Sequence, residues 1–223
     1  MKTICVPTSS SEDWRQFLAQ PDKHWREGYS AKSLADAWED SNPHLPPEIT
    51  SCFDKSNDHR LTGLELLLAI PEHKVDLPPV GGRPSQTDLF ALCRNESGTV
   101  CIAVEGKVDE PLGPTVSEHL KDASVGLLER VAFLKDKLKL PENICGDVRY
   151  QLLHRTASAH LIAERFHAQT AVMLVHSFSQ ESRWLEDLQV LAGLYGKEVS
   201  VGEVVCVGVF DGVTLFVGWA KGK

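Results

Sequence analysis

Residues 87–108, TDLFALCRNESGTVCIAVEGKV, decide how the rest of the chain is read. Two apolar runs, 87–93 and 99–108, flank Asn95-Glu96-Ser97-Gly98, a cluster of turn formers, and such a pattern reads as a β-hairpin. With Arg94 and Thr99 closing a four-residue loop without a bulge, Leu89 faces Val104, Phe90 faces Ala103, Leu92 faces Cys101, and Asp88 faces Glu105. Strand side chains alternate with period two, so Lys107 projects from the same face as Glu105. Two acids and a lysine thereby gather at the open end of the hairpin. Opposed carboxylates about 4.5–5.5 Å apart at Cβ repel unless a cation or proton lies between them. A divalent ion is the natural compensator, and oxygen ligands with open positions suit Mg²⁺ or Mn²⁺. The same residues also admit a blander reading, a solvated strand end with Asp88 capping the loop after Ser85.

Outward from the hairpin, residues 61–70 read as a helix stopped by Pro71, followed by a short strand at 73–77 and a loop through Pro78, Pro79, Gly81 and Gly82. On the other side come helices at 125–138 and 149–166, separated by Pro141 and Gly146. Residues 171–178 are almost continuously apolar, as in a strand buried on both faces. A helix at 182–195 ends at Gly196, and 204–210 with 213–219 form a hairpin around Asp211-Gly212. The order α-β-β-β-α-β, with a further helix and a terminal hairpin, implies an α/β fold with a mixed central sheet flanked by helices. The first sixty residues are proline-rich and carry Trp14, Trp25 and Trp38; their best helix starts near Ser30 and puts Leu34, Ala35 and Trp38 on one face. Residues 1–60 read as an N-terminal helical appendage packed on the core by its tryptophans, and 61–223 as the α/β domain. An aromatic cage for a base or a methylated ligand is the alternative use of those tryptophans.

A chain of 223 residues with 42% hydrophobic content is long enough to bury one sizeable core. Its six cysteines, Cys5, Cys52, Cys93, Cys101, Cys145 and Cys206, form no C-x-x-C pair and read as reduced, mostly buried thiols. No signal-peptide pattern and no membrane-length apolar run is visible, so the expected location is the cytoplasm. The net charge of −8 argues against a protein that coats nucleic acid by neutralising phosphates. It argues less against a metal-dependent nuclease, where bound cations invert the local charge.

Asp88, a turn, and Glu105-Gly106-Lys107 after the apolar run Val100-Cys101-Ile102-Ala103-Val104 resemble the D…(D/E)-X-K signature of the PD-(D/E)XK nuclease superfamily. The expected element order over 61–178 matches that superfamily too, which implies a restriction-endonuclease-like core. The resemblance implies that Asp88 and Glu105 bind Mg²⁺ or Mn²⁺ and that the carbonyl of Gly106 is a further ligand. It implies that Lys107 orients the attacking water or stabilises charge on the phosphate. Thr87 stands where the superfamily usually has Pro. Many members carry another acid on the helix before the sheet; Glu65 and Glu72 are the candidates, and Glu65 is favoured because it lies on the expected helix, although Thr62 and Glu65 also have capping-box spacing.

Gln151, His154, Arg155 and Ser158 form one polar stripe on the 149–166 helix, suited to contact substrate phosphate or simply to face solvent. Some related exonucleases have a Gln followed by a Tyr in this helix, and that pattern is missing here. Residues 85–89 and 150–155 also resemble an uncharacterised bacterial family of about this length, which supplies no function. His73, His119, His160, His167 and His176 are too scattered for a zinc pattern, and neither H-E-x-x-H nor G-x-S-x-G occurs. The expected function is a metal-dependent phosphodiesterase acting on nucleic acid, DNA or RNA being open. The alternative is a catalytically silent binding module that keeps the nuclease fold. Oligomeric state is left open, a homodimer included.

Overall fold

The structure, a computed structural model, describes Ile4, residues 8–141 and residues 146–223. Strands β1 (Glu65–Val75), β2 (Ser85–Asn95), β3 (Gly98–Lys107), β4 (Thr170–Ser177), β5 (Glu203–Phe210) and β6 (Val213–Lys221) form one sheet in the order β1-β2-β3-β4-β6-β5. The pairs β1–β2, β2–β3 and β5–β6 are antiparallel, whereas β3–β4 and β4–β6 are parallel, so the centre of this mixed sheet is built by crossovers. β4 is buried along its whole length, as its unbroken apolar run requires.

Helices cover both faces. On one face lie a 3-10 turn (Ser11–Phe17), α1 (Pro21–His24), α2 (Ser30–Ser41) and α3 (Pro47–Lys55). Leu34, Trp38, Ile49 and Phe53 from these helices pack on Leu89, Ala91, Ile102, Val104 and Leu174. Each such side chain, once fully buried, contributes about 1.5–3 kcal/mol, which is why this N-terminal segment holds to the sheet. On the other face lie α4 (Val116–Leu120), α5 (Val125–Lys137), α6 (Tyr150–Arg165) and α7 (Leu185–Gly193). There Leu152, Leu153 and Ala157 of α6 meet Phe90, Ala103 and Met173.

The hairpin register agrees with the reading of residues 87–108: Leu89 pairs with Val104, Phe90 with Ala103 and Asn95 with Gly98. Asp211 and Gly212 both take positive φ, 47° and 82°, as the tight turn between β5 and β6 demands. Residues 61–77 differ from the expectation. The helix expected at 61–70 and the strand expected at 73–77 are replaced by one eleven-residue strand, β1, with a bulge between Leu66 and Leu68. A leucine-rich run is ambiguous between helix and strand, and pairing with β2 decides it. Pro71 does not stop this strand, because β1 is an edge strand where a missing N–H costs least.

The described cysteines are unpaired; Cys52, Cys93 and Cys101 are buried and Cys206 partly so, while Cys5 and Cys145 lie outside the described residues. Among the described residues, no helix is long and apolar enough to cross a membrane.

Candidate functional site

The site lies at the open end of the β2–β3 hairpin. The backbone ladder closes for the last time at Leu89–Val104, and beyond it Gly106 N–H donates to Asp88 Oδ2 at 2.9 Å. Asp88 is thus anchored beside Glu105 by the backbone of the residue that separates Glu105 from Lys107. On the opposite edge, Glu72 falls between the pairs Pro71–Leu89 and His73–Thr87 and so stands level with Asp88. Three carboxylates, one from each of three adjacent strands, therefore share one level of the sheet. Glu72 has φ +53°, a left-handed conformation that a non-glycine residue adopts only where its surroundings enforce it, at a cost of about 1–3 kcal/mol. Gln86 Nε2 donates to Glu72 Oε2 and helps hold it there.

Glu105 is the centre of the charge network. Its side chain is 2% exposed and that of Lys107 7%. Lys107 Nζ and Gln151 Nε2 donate to Glu105 Oε1 at 2.5 and 2.6 Å, and Arg155 Nε donates to Oε2 at 2.6 Å. Burial by itself would raise the Glu105 pKa, but Arg155 and Lys107 overcome that penalty and hold the carboxyl ionised, down to about 2. Asp88 has weaker compensation, with its Oδ1 4.0 Å from the Arg155 guanidinium. Burial and the neighbouring charge of Glu105 raise its pKa to about 7. Burial and then Asp88 push Glu72 up to about 8. The cluster is over-supplied with negative charge on the Glu72–Asp88 side, the condition that a bound cation relieves.

Helix α6 supplies the cationic wall. Gln151 and Arg155 sit one turn apart on its sheet-facing side, so a sixteen-residue helix crossing the sheet delivers both to Glu105. Arg155 Nη1 also donates to Ser85 Oγ at 3.0 Å, and His154 Nδ1 lies 2.9 Å from the same oxygen. Burial, then Arg155, lowers the His154 pKa to about 3, so this imidazole is neutral at physiological pH and does not serve as an acid there.

Asp88, Glu105, Gly106, Lys107, Gln151, His154 and Arg155 are thus brought together. Glu65 is not. Far from lying on a helix beside the site, it begins β1 at the opposite end of the sheet, exposed and 2.9 Å from Arg94. The acid next to Asp88 is Glu72, because residues 65–75 form a strand rather than the expected helix. Ser158, the last member of the polar stripe, returns its hydroxyl to the carbonyl of His154 at 2.6 Å and is buried. Ser85 and Gln86, which steady Arg155 and Glu72, are not marked as site residues by the sequence, because only the fold brings them to those partners.

Two cavities meet at this wall. One, of about 330 Å³, is lined by Glu72, Asp88, Glu105 and Lys107 and by Trp14 and Trp25 of the N-terminal layer. The other, of about 610 Å³, is lined by Arg130, His119, Tyr150 and His154, and Arg83, Gln86 and Arg155 line both. Glu110 ties the N-terminal layer to the end of β3, accepting from Ser30 N–H at 2.9 Å and from Val108 N–H at 3.0 Å. The family described as Domain of unknown function (DUF6946) matches residues 7–223. The chain belongs to the DUF6946 family. The DUF6946 match spans the N-terminal helices together with the sheet, so both walls of the smaller cavity lie within the family unit. No curated protein and no solved structure matches the chain.

The donor set suits a hard divalent cation in kind: Asp88, Glu72 and Glu105 offer carboxylate oxygens and Gly106 a carbonyl. Their mutual distance is less favourable. Among the described residues, the trio of His, Cys, Asp or Glu whose ligand atoms all lie within 4.8 Å of one another is His160, Glu164 and Asp211, elsewhere in the molecule. Glu105 is drawn instead onto Lys107 and Arg155.

Proposed function

We propose that this protein is a metal-dependent phosphodiesterase of the PD-(D/E)XK type, hydrolysing nucleic acid, with Asp88, Glu105 and Lys107 at its centre and Glu72 as the additional acid. The observation that carries this reading is the alignment of Glu72, Asp88 and Glu105 across three strands with Lys107 on the same buried edge. An acidic cluster whose outer members have raised pKa values, beside a buried lysine and arginine in a cavity, is a candidate functional site on physical grounds. The mixed sheet with a hairpin, crossover helix and parallel fourth strand supports the restriction-endonuclease-like assignment.

In this reading Asp88 and Glu72, with the Gly106 carbonyl, would hold Mg²⁺ or Mn²⁺, and Glu105 would join them by giving up one of its cationic partners. The ion would supply Lewis-acid polarisation of the phosphoryl oxygen and a lowered pKa for water. Lys107, released from Glu105 by the same rearrangement, would place its ammonium against the charge that develops on the phosphate. Arg155 and Arg83, which line both cavities, would bind the flanking phosphates of a chain running from the larger cavity into the smaller. Trp14 and Trp25 would stack or exclude whatever sits over the carboxylates.

A second reading, a binding module without catalysis, draws on one observation: both Glu105 oxygens are already occupied by Lys107, Gln151 and Arg155. A single assay separates the two. Purified protein is incubated with single- and double-stranded DNA and RNA in Mg²⁺ or Mn²⁺, with and without chelator. Cleavage that stops on chelation and disappears in Asp88→Asn supports the phosphodiesterase. Binding of those strands without cleavage supports the silent module.

A further inference from the structure

The opposite end of α6 carries a second cluster that the phosphodiesterase reading does not use. His160 and Glu164 stand one helical turn apart, and the β5–β6 turn brings Asp211 to them from far along the sequence. Ligand atoms of all three lie within 4.8 Å of one another.

The imidazole points to a ligand independently of the two acids. His160 is fully buried, and its Nε2 lies 2.8 Å from the carbonyl oxygen of Phe210. A carbonyl only accepts, so Nε2 carries a hydrogen, and Nδ1 is the ring nitrogen left for a further partner. That Nδ1 is buried without a hydrogen-bond partner and lies 3.8 Å from Glu164 Oε2, too far for a hydrogen bond. A lone pair facing a carboxylate oxygen is unfavourable unless a cation or a proton lies between them. A backbone carbonyl that fixes the tautomer of a histidine and leaves the other nitrogen free is how metal-ligating histidines are commonly oriented. Lys137 approaches the cluster from the outer side, 2.7 Å from Glu164 Oε1 and 3.1 Å from Asp211 Oδ2, and so leaves Glu164 Oε2 on the histidine side unclaimed by it.

We propose that His160 Nδ1, Glu164 and Asp211 bind a divalent transition ion of the Zn²⁺ class, with Lys137 competing for the two carboxylates. One imidazole and two carboxylates, with water in the remaining position, suit Zn²⁺ or Co²⁺ better than Mg²⁺, which avoids nitrogen ligands. Such an ion would fasten the tip of the terminal hairpin to α6, joining segments 47 residues apart between Glu164 and Asp211. Binding only to the folded chain, it would also raise stability.

The test is calorimetric titration of the full chain with Zn²⁺, and visible spectroscopy with Co²⁺, in an Asp88→Asn background that disables the other carboxylate cluster. One equivalent of Zn²⁺ is expected to bind. Adding Asp211→Asn should weaken binding about tenfold or more, since even outer partners of metal ligands cost 10–100-fold. Asp211 is exposed and asparagine tolerates its positive φ, so this variant keeps the turn. Lys137→Met should tighten binding, because a competing cation is gone, and Co²⁺ should give visible bands without thiolate charge transfer. Absence of a stoichiometric site, or affinity unchanged by Asp211→Asn, would overturn the proposal. So would a Co²⁺ spectrum showing thiolate ligation.

Discussion

The β2–β3 hairpin and its neighbour β1 hold the same chemistry at their two ends, with opposite consequences. At the turn end, Glu65 on β1 and Arg94 on β2 are register partners and form an ion pair 2.9 Å long. At the open end, Glu105 meets Lys107 and Arg155 at 2.5 and 2.6 Å. The first pair is 63% and 59% exposed, while the Glu105 side chain is 2% exposed. In water an exposed pair is worth about 0–1 kcal/mol, because solvent screens it as well as the protein does. Out of water the same groups must satisfy one another completely or titrate away from their ordinary pKa values. What separates a surface ornament from a chemically poised site here is the cover provided by α6 and by the N-terminal helices.

The largest expected difference between the two ends is in stability. Arg155→Leu leaves Glu105 buried with a lost partner and should cost about 3–5 kcal/mol in urea unfolding, whereas Arg94→Leu should cost about 1 kcal/mol or less. Equal losses would mean that Glu105 is more hydrated than its burial indicates. Next is activity. Lys107→Met, compared under conditions where both proteins are folded, should reduce metal-dependent cleavage by about 10²–10³, and Arg94→Met should leave it unchanged. A folded Lys107→Met with full activity would remove Lys107 from the chemistry.

The pH profile sharpens the comparison further. Glu72 and Asp88 have folded pKa values raised to about 8 and about 7, above their ordinary 4.5 and 3.8. Their contribution to stability is complete below those ordinary values and is lost as pH rises through about 7 to 8. Without divalent metal, the melting temperature should therefore fall between pH 5 and about pH 9, and Glu72→Gln should flatten that fall. Glu105 behaves oppositely: its pKa is lowered from 4.5 to about 2, so its contribution is present above 4.5 and lost as pH falls through 2. Mn²⁺ should raise the melting temperature most at the alkaline end, where Glu72 and Asp88 are ionised, and Asp88→Asn should reduce that rise. The smallest expected effect is that of Glu65→Gln, which should change stability by under about 0.5 kcal/mol and leave cleavage intact.

Sequence pattern carried the strands well where its period was unambiguous. The turn in 87–108 specifies the β2–β3 register, and with it the company of Asp88, Glu105 and Lys107. The same logic failed at 61–77, because Leu66-Leu67-Leu68 satisfies helix and strand alike and Pro71 looked like a helix stop. That single error moved the extra acid from Glu72 to Glu65. Glu72 could have been found from its offset to Pro71 had β1 been recognised, since its level with Asp88 follows from the β1–β2 register.

By itself, the sequence determined the α/β class, the fully buried β4, the two hairpins and the pairing of a carboxylate with Glu105-Gly106-Lys107, all through local period and turn chemistry. Tertiary structure decided the rest. It put Arg155 and Gln151 on Glu105, roofed the carboxylates with Trp14 and Trp25, and brought Asp211 to His160 and Glu164. These contacts join residues tens of positions apart. No periodicity encodes such a meeting, because it depends on how helices cross the sheet, and burial, which sets the strength and the pKa of every group involved, exists only once the layers have packed.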